Sequence, residues 1–287
     1  MSDDRRHFTN TRDYADWVSH EWDTQKKQRT VRHYTAVCDS EPRVRDGLRF
    51  MYEGDETHLR RAQELMDKFQ ESVEVPTRTW ELSRVGAFPC VPAMLAGRPE
   101  AMFNTATITS DRTPLRVWVG LTSSAGISDV ELAIRGCTLA AFALAMISIR
   151  PVYITPYVLM GQHSYDSYDS YGRGRSWSRG RSTPAGSENA LISWDISTSP
   201  LVLSELMGCL SRSEVTRYVG ILACNLLNKY TDGGWHRDYS YPDKMRQNLG
   251  ASPDDLVLGS IHWDDPMLTQ PLEWVKDQVA KYTEETA

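Results

Sequence analysis

From Leu115 to Val158 apolar positions run almost without a break, and only their spacing changes along the way. The first part, with Val117, Trp118, Val119 and Leu121, is apolar on nearly every residue, which predicts a strand covered on both faces. A turn of small residues, Thr122-Ser123-Ser124-Ala125-Gly126, leads into an apolar helix near Ala133 to Ile149 and then a second strand. This is a βαβ pattern, so a parallel sheet is expected. The helix approaches the roughly 20 residues that cross a bilayer. Arg135 and Gly136 interrupt it and strands flank it, which makes it a core helix.

The remaining pattern builds outward from that unit. Helices are expected near Asp13 to Thr24 and Leu59 to Val73; in the second, Leu59, Ala62, Leu65, Met66 and Phe69 share one face that must pack on the sheet. Between Pro76 and Phe103, Gly86, Pro89, Pro92, Gly97 and Pro99 break any long element, leaving a proline-pinned connection. Beyond the βαβ unit come a strand at Ala190 to Ile196 and a helix at Leu201 to Leu210 entered through Pro200. A helix at Ser213 to Lys229 with Ser213 as N-cap follows, then a strand at Leu256 to Trp263 and a helix at Pro271 to Tyr282. The order predicts an α/β fold: a three-layer, open, mostly parallel sheet over residues 111–287, with residues 1–110 a helical elaboration packed on it.

Composition narrows the function classes. With 287 residues, 40% hydrophobic and 24% charged, the chain is globular, and a net charge of -6 argues against a surface coated for DNA. The N-terminus has charges without an apolar signal core, from which residence in the cytoplasm is expected. Cys38, Cys90, Cys137, Cys209 and Cys224 are widely spaced without a CxxC pair, so they are assigned to packing.

Candidate chemistry lies in two places. The turn after the first strand sits where open α/β sheets bind ligands. It contains neither GxxxxGK[ST] nor GxSxG, so neither a phosphate loop nor a nucleophile elbow is expected. A hydrolase would pair Ser123 or Ser124 with His262, beside Asp264 and Asp265, or with His236. The second place is a flexible Tyr/Arg/Gly/Ser-rich loop at 162–187. There Tyr165, Tyr168, Tyr171 and Trp177 could stack on unpaired bases while Arg173, Arg175, Arg179 and Arg181 neutralise phosphate of a single-stranded nucleic acid. Asp166 and Asp169 dilute that charge, and a tolerated insertion is the favoured reading of the loop.

Gly120-Leu121-Thr122-Ser123-Ser124 resembles the Asp-x-Ser-x-Ser cation motif of von Willebrand factor A domains, with Gly120 in place of the Asp. A degenerate site follows, in which Thr122, Ser124 and Asp195 would be the remaining ligands for a magnesium ion; a helix capped by Ser124 or Ser128, with no ligand or cofactor, is the favoured expectation. The stretches Val91 to Phe103, Val117 to Ser128 and Ser197 to Ile221 resemble a family of uncharacterised tailed-bacteriophage proteins with such folds. The resemblance implies a non-enzymatic binding or adaptor protein, of the kind found beside MoxR-type AAA+ ATPases. The expected partner face is Thr122, Ser123, Asp195 and Asp264.

Overall fold

The structure, a computed structural model, describes residues 5–27, 41–72, 80–83, 88–89, 94, 96, 98–99, 102–105, 113–123, 126–147, 149–160, 190–198, 201–227 and 242–284. The first half comprises β1 (Arg5–Phe8), α1 (Thr11–Lys27), α2 (Glu41–Glu53), α3 (Leu59–Ser72), β2 (Trp80–Ser83), β3 (Phe88–Pro89), β4 (Met102–Thr105), β5 (Leu115–Gly120) and α4 (Asp129–Ile147). It continues with β6 (Val152–Met160), β7 (Ala190–Trp194), α5 (Leu203–Leu210) and a π-helical turn (Glu214–Val219) that runs into α6 (Gly220–Leu227). The last elements are α7 (Pro242–Leu249), β8 (Leu256–Leu258), α8 (Pro266–Thr269) and α9 (Pro271–Glu284).

Five strands form a mostly parallel mixed sheet in the order β1-β7-β6-β5-β8. The β5-α4-β6 unit is parallel as its pattern predicts, with Leu115 opposite Val152 and Gly120 opposite Tyr157. β8 joins the other side of β5 in parallel, but β7 runs antiparallel to β6, and β1 lies parallel to β7. The sheet therefore has strand carboxyl ends at both edges. β1 is a strand the hydrophobic pattern does not announce, because Arg5, Arg6 and His7 are exposed and only Phe8 is buried.

Strand alternation divides the buried residues between two faces. Leu115, Val117 and Val119 of β5 join Val152, Ile154, Val158, Ile192 and Trp194 in the main core, with apolar residues from α1 to α6, α8 and α9. The opposite face carries Trp118, Tyr157, Leu159 and Leu191, covered by Met245 and Leu249 of α7. The two outer layers are thus very unequal. Trp194 stacks on Tyr14 of α1 at 4.1 Å, so the N-terminal helices share the sheet's core. α4 is long and apolar enough to cross a membrane, yet it is packed inside the fold, with Leu132 to Ala143 nearly continuous in its buried set.

Three helix features follow from local chemistry. Ser128 and Glu131 form a capping box at the start of α4: the Ser128 amide donates to Glu131 Oε2 (2.6 Å) and the Glu131 amide to Ser128 Oγ (3.3 Å). Cys137, Cys209 and Cys224 are buried free thiols, and burial pushes Cys137 up to about 11 and Cys209 up to about 12. Gly208 of α5 lies so close to α2 that a Cβ there would sit 2.3 Å from the Phe50 carbonyl oxygen. Gly208→Ala is therefore expected to cost about 1–3 kcal/mol, read as a lowered urea midpoint, because backbone must move to admit the methyl.

Between Pro76 and Phe103 the expected connection is partly structured. β2, β4 and β3 form a small antiparallel sheet, with Trp80 opposite Thr105 and Phe88 opposite Phe103.

Candidate functional site at the carboxyl end of the central strand

β5 ends at Gly120, a position where nothing larger fits. A Cβ there would lie 2.9 Å from the Gly259 backbone and 2.9 Å from the Tyr157 hydroxyl. A guanidinium from α4 joins β5 to the segment after β8 here, before Ser123 and Ile261 pair again. Arg135, 2% exposed, donates to the carbonyls of Gly120 (2.7 Å) and Gly259 (2.8 Å), one from each segment. Its Nε stands 4.0 Å from an Asp265 carboxylate oxygen. Burial lowers the guanidinium's pKa from its usual value, and Asp265 opposes that shift. Asp265 also caps α8, accepting from the Met267 amide at 2.9 Å.

The turn itself is closed by its own polar groups. Thr122 and Ser123 are buried; Thr122 shares a short hydrogen bond with Ser260, and its carbonyl accepts from the Ile261 amide at 3.0 Å. Ser123 Oγ accepts from Arg217 Nε at 3.2 Å, and Arg217 also donates to the Ile127 carbonyl. Arg217 projects from the π-helical turn, a wider helical geometry that often marks functional or strained positions. α2 crosses that turn closely, since a Cβ on Gly47 would lie 2.8 Å from the Glu214 carbonyl, and Arg43 pairs with Glu214 at 2.7 Å.

The expected metal ligands are not brought together. Ser124 lies outside the described residues. Asp195 accepts from Thr155 Oγ1 at 2.7 Å, and Thr155 is opposite Trp118, four residues before Thr122 on β5. That places Asp195 about 13 Å down the sheet from the turn, at roughly 3.3 Å per residue. The correction has a plain cause: β7 is antiparallel, so its carboxyl end reaches the opposite edge. At the turn the Gly120 carbonyl accepts from Arg135, the Ser123 hydroxyl from Arg217, and the Thr122 hydroxyl bonds to Ser260. Among the described residues no group of three or more His, Cys, Asp or Glu could hold a metal.

Ser124 and His236 of the expected Ser/His pairs lie outside the described residues. His262 Nδ1 pairs with Asp264, its Nε2 lies 2.5 Å from the Trp263 indole nitrogen, and the partner of Ser123 is a guanidinium, which cannot take a hydroxyl proton. Asp264 and Asp265 do lie at the strand-end edge with Thr122 and Ser123, since Ile261 bridges Ser123. Trp263, 70% exposed, and Val130, on the first turn of α4, stand on that edge as well. Tyr165, Tyr168, Tyr171, Arg173, Arg175, Trp177, Arg179 and Arg181 lie outside the described residues.

Residues 12–149 match the family model described as a domain of unknown function, DUF7192. No curated protein and no solved structure matches the chain. The matched stretch runs from α1 to the end of α4, so it spans the N-terminal helices, β5 and Arg135 but stops before β6, Arg217 and Trp263.

Asp195 belongs instead to a polar patch on the face opposite the main core. His7 Nδ1 lies 2.9 Å from Ser193 Oγ and its Nε2 3.4 Å from Asp195, while Arg116 reaches Asp195 at 3.7 Å and stacks over Trp118 and Tyr153. Sequence reading missed His7, Arg116, Arg135 and Arg217. Only Arg135 gave a signal, as a charge inside an apolar helix, where a buried ion must find partners.

Proposed function

We propose that the chain is a non-enzymatic adaptor of the von Willebrand factor A type, encoded by a tailed bacteriophage and acting in the cytoplasm of the infected cell. It offers the strand-end edge to a protein partner, and an AAA+ ATPase of the MoxR type is the partner class that the sequence resemblance implies. The observation that carries this reading is the contrast at that edge. The described hydroxyls and carbonyls of the turn are taken up internally, by Arg135, Arg217, Ser260 and the Ile261 amide, while Trp263 projects with 70% of its surface exposed. An exposed tryptophan beside His262 and Asp264 has the composition of a binding hot spot, where truncation costs about 2 kcal/mol or more.

Trp263→Ala is therefore expected to weaken the partner complex roughly 30-fold or more while leaving the fold intact. Pull-down from infected cells with the wild-type and variant chains, followed by ATPase assays with the recovered partner, tests this. A wild-type chain that recovers no stable partner overturns the reading.

A further inference from the structure

At the opposite edge of the sheet the reversed strands β1 and β7 end side by side, and the first turns of the helices next in order, α1 and α5, line a common cavity. Crevices outside the carboxyl ends of neighbouring parallel strands are where open α/β sheets hold ligands. Here a cavity of about 270 Å³ opens between the first turn of α1, the end of α2 and the first turn of α5. Its size falls just below the range of about 300–1,000 Å³ that takes drug-sized molecules, which suits a single amino acid.

The lining is charged and uncommitted. Arg12 comes from α1, Glu53 from α2 and Glu205 from α5, and among the described residues none of the three makes an ion pair. Val202, the N-cap of α5, gives no capping hydrogen bond, so among the described residues the first amides of α5 have no side-chain acceptor. The wall is held rigidly. The Tyr52 hydroxyl donates to Asp16 at 2.7 Å, and Gly54, at φ 80°, lies against the Ser204 backbone where a Cβ would be 2.8 Å away.

We infer that this cavity binds a basic amino acid. Arg12 and the first amides of α5 receive its α-carboxylate, Glu53 and Glu205 receive its cationic groups, and the Tyr52 ring flanks the side chain. Two carboxylates set against one guanidinium select a ligand with net positive charge, and the single guanidinium selects one that keeps a carboxylate.

Isothermal titration of the full chain with L-arginine, L-lysine and agmatine, which is arginine without its carboxylate, tests the assignment. Saturable binding of L-arginine or L-lysine is expected. Glu53→Gln and Glu205→Gln should each weaken it about tenfold or more, the effect of losing one charge-assisted hydrogen bond. Arg12→Ala should weaken binding of L-arginine but not of agmatine. Arg12 and Glu53 are exposed and Glu205 half-buried, so the variants should fold, which circular dichroism and Tm check. No saturable binding up to about 10 mM of either amino acid, far weaker than the affinities such charge pairs support, overturns the inference. Binding that all three variants leave unchanged overturns it equally.

Discussion

Arg135→Met is expected to destabilise the protein by about 3–5 kcal/mol, the usual cost of removing one partner from a buried, hydrogen-bonded charge cluster. The guanidinium joins the Gly120 and Gly259 carbonyls, and without it both lose their donor while Asp265 loses its neighbouring cation. Methionine fills much of the volume, so the loss is electrostatic and not a cavity effect. Against a total stability on the order of 5–15 kcal/mol, this is about a fifth or more of the whole. The Tm should fall by roughly 6–20 °C. Arg135→Lys should recover only part of it, because an ammonium cannot span two carbonyls as a planar fork does. Denaturant unfolding of the three proteins decides the matter, and a loss below about 1 kcal/mol for methionine would show that the carbonyls find other donors.

Asp55→Ala is expected to cost a similar amount, about 3–5 kcal/mol at pH 7, for the same reason at a different place. Asp55 is buried between α2 and α3, where it accepts from Arg212 Nη2 (2.6 Å), the Thr57 amide (2.8 Å) and Ser211 Oγ (3.4 Å), with His58 Nδ1 at 2.8 Å. Arg212 is itself stacked over Phe50. Burial acts to raise the carboxyl's pKa, but the hydrogen bonds from Arg212, then His58 and Thr57, outweigh it and hold the group well below the usual carboxylate range. A lowered folded-state pKa means stability that is present above the unfolded value of about 4 and lost as pH falls through the folded one. The wild-type chain should thus lose stability progressively below about pH 4, and the gap between it and Asp55→Ala should narrow there. Urea unfolding at pH 7, 5 and 3 measures this. A gap that stays constant with pH would assign the effect to packing and not to the carboxylate.

Both residues illustrate how far the chain could be read in advance. Arg135 appears in the sequence only as an interruption of an apolar helix, and nothing nearby in sequence predicts partners 15 and 124 positions away. Asp55 sits in an ordinary polar stretch between helices, while its main cation lies 157 positions away. The βαβ unit, by contrast, was legible because both its strands and its helix meet their partners locally, and the Ser128 capping box needs only residues three apart. The β1 strand and the small antiparallel sheet were missed because polar residues in one, and glycine and proline in the other, mask the alternation that marks a strand.

The direction of a single strand decided most of the rest. Apolar alternation in Ala190 to Trp194 identifies a strand, but period-two patterning is the same whichever way a strand runs. Read as parallel, it brings Asp195 to the hydroxyl turn and suggests a cation site. As it folds, antiparallel to β6, it carries Asp195 away and leaves that turn to Arg135 and Arg217. It also sets the end of β7 beside the end of β1, which creates the second strand-end crevice. The sequence by itself determined the α/β class, the central βαβ unit and the buried helix, since these rest on local periodicity. Which charges meet was decided only in three dimensions, because buried ions are satisfied by partners that strand order and direction bring together.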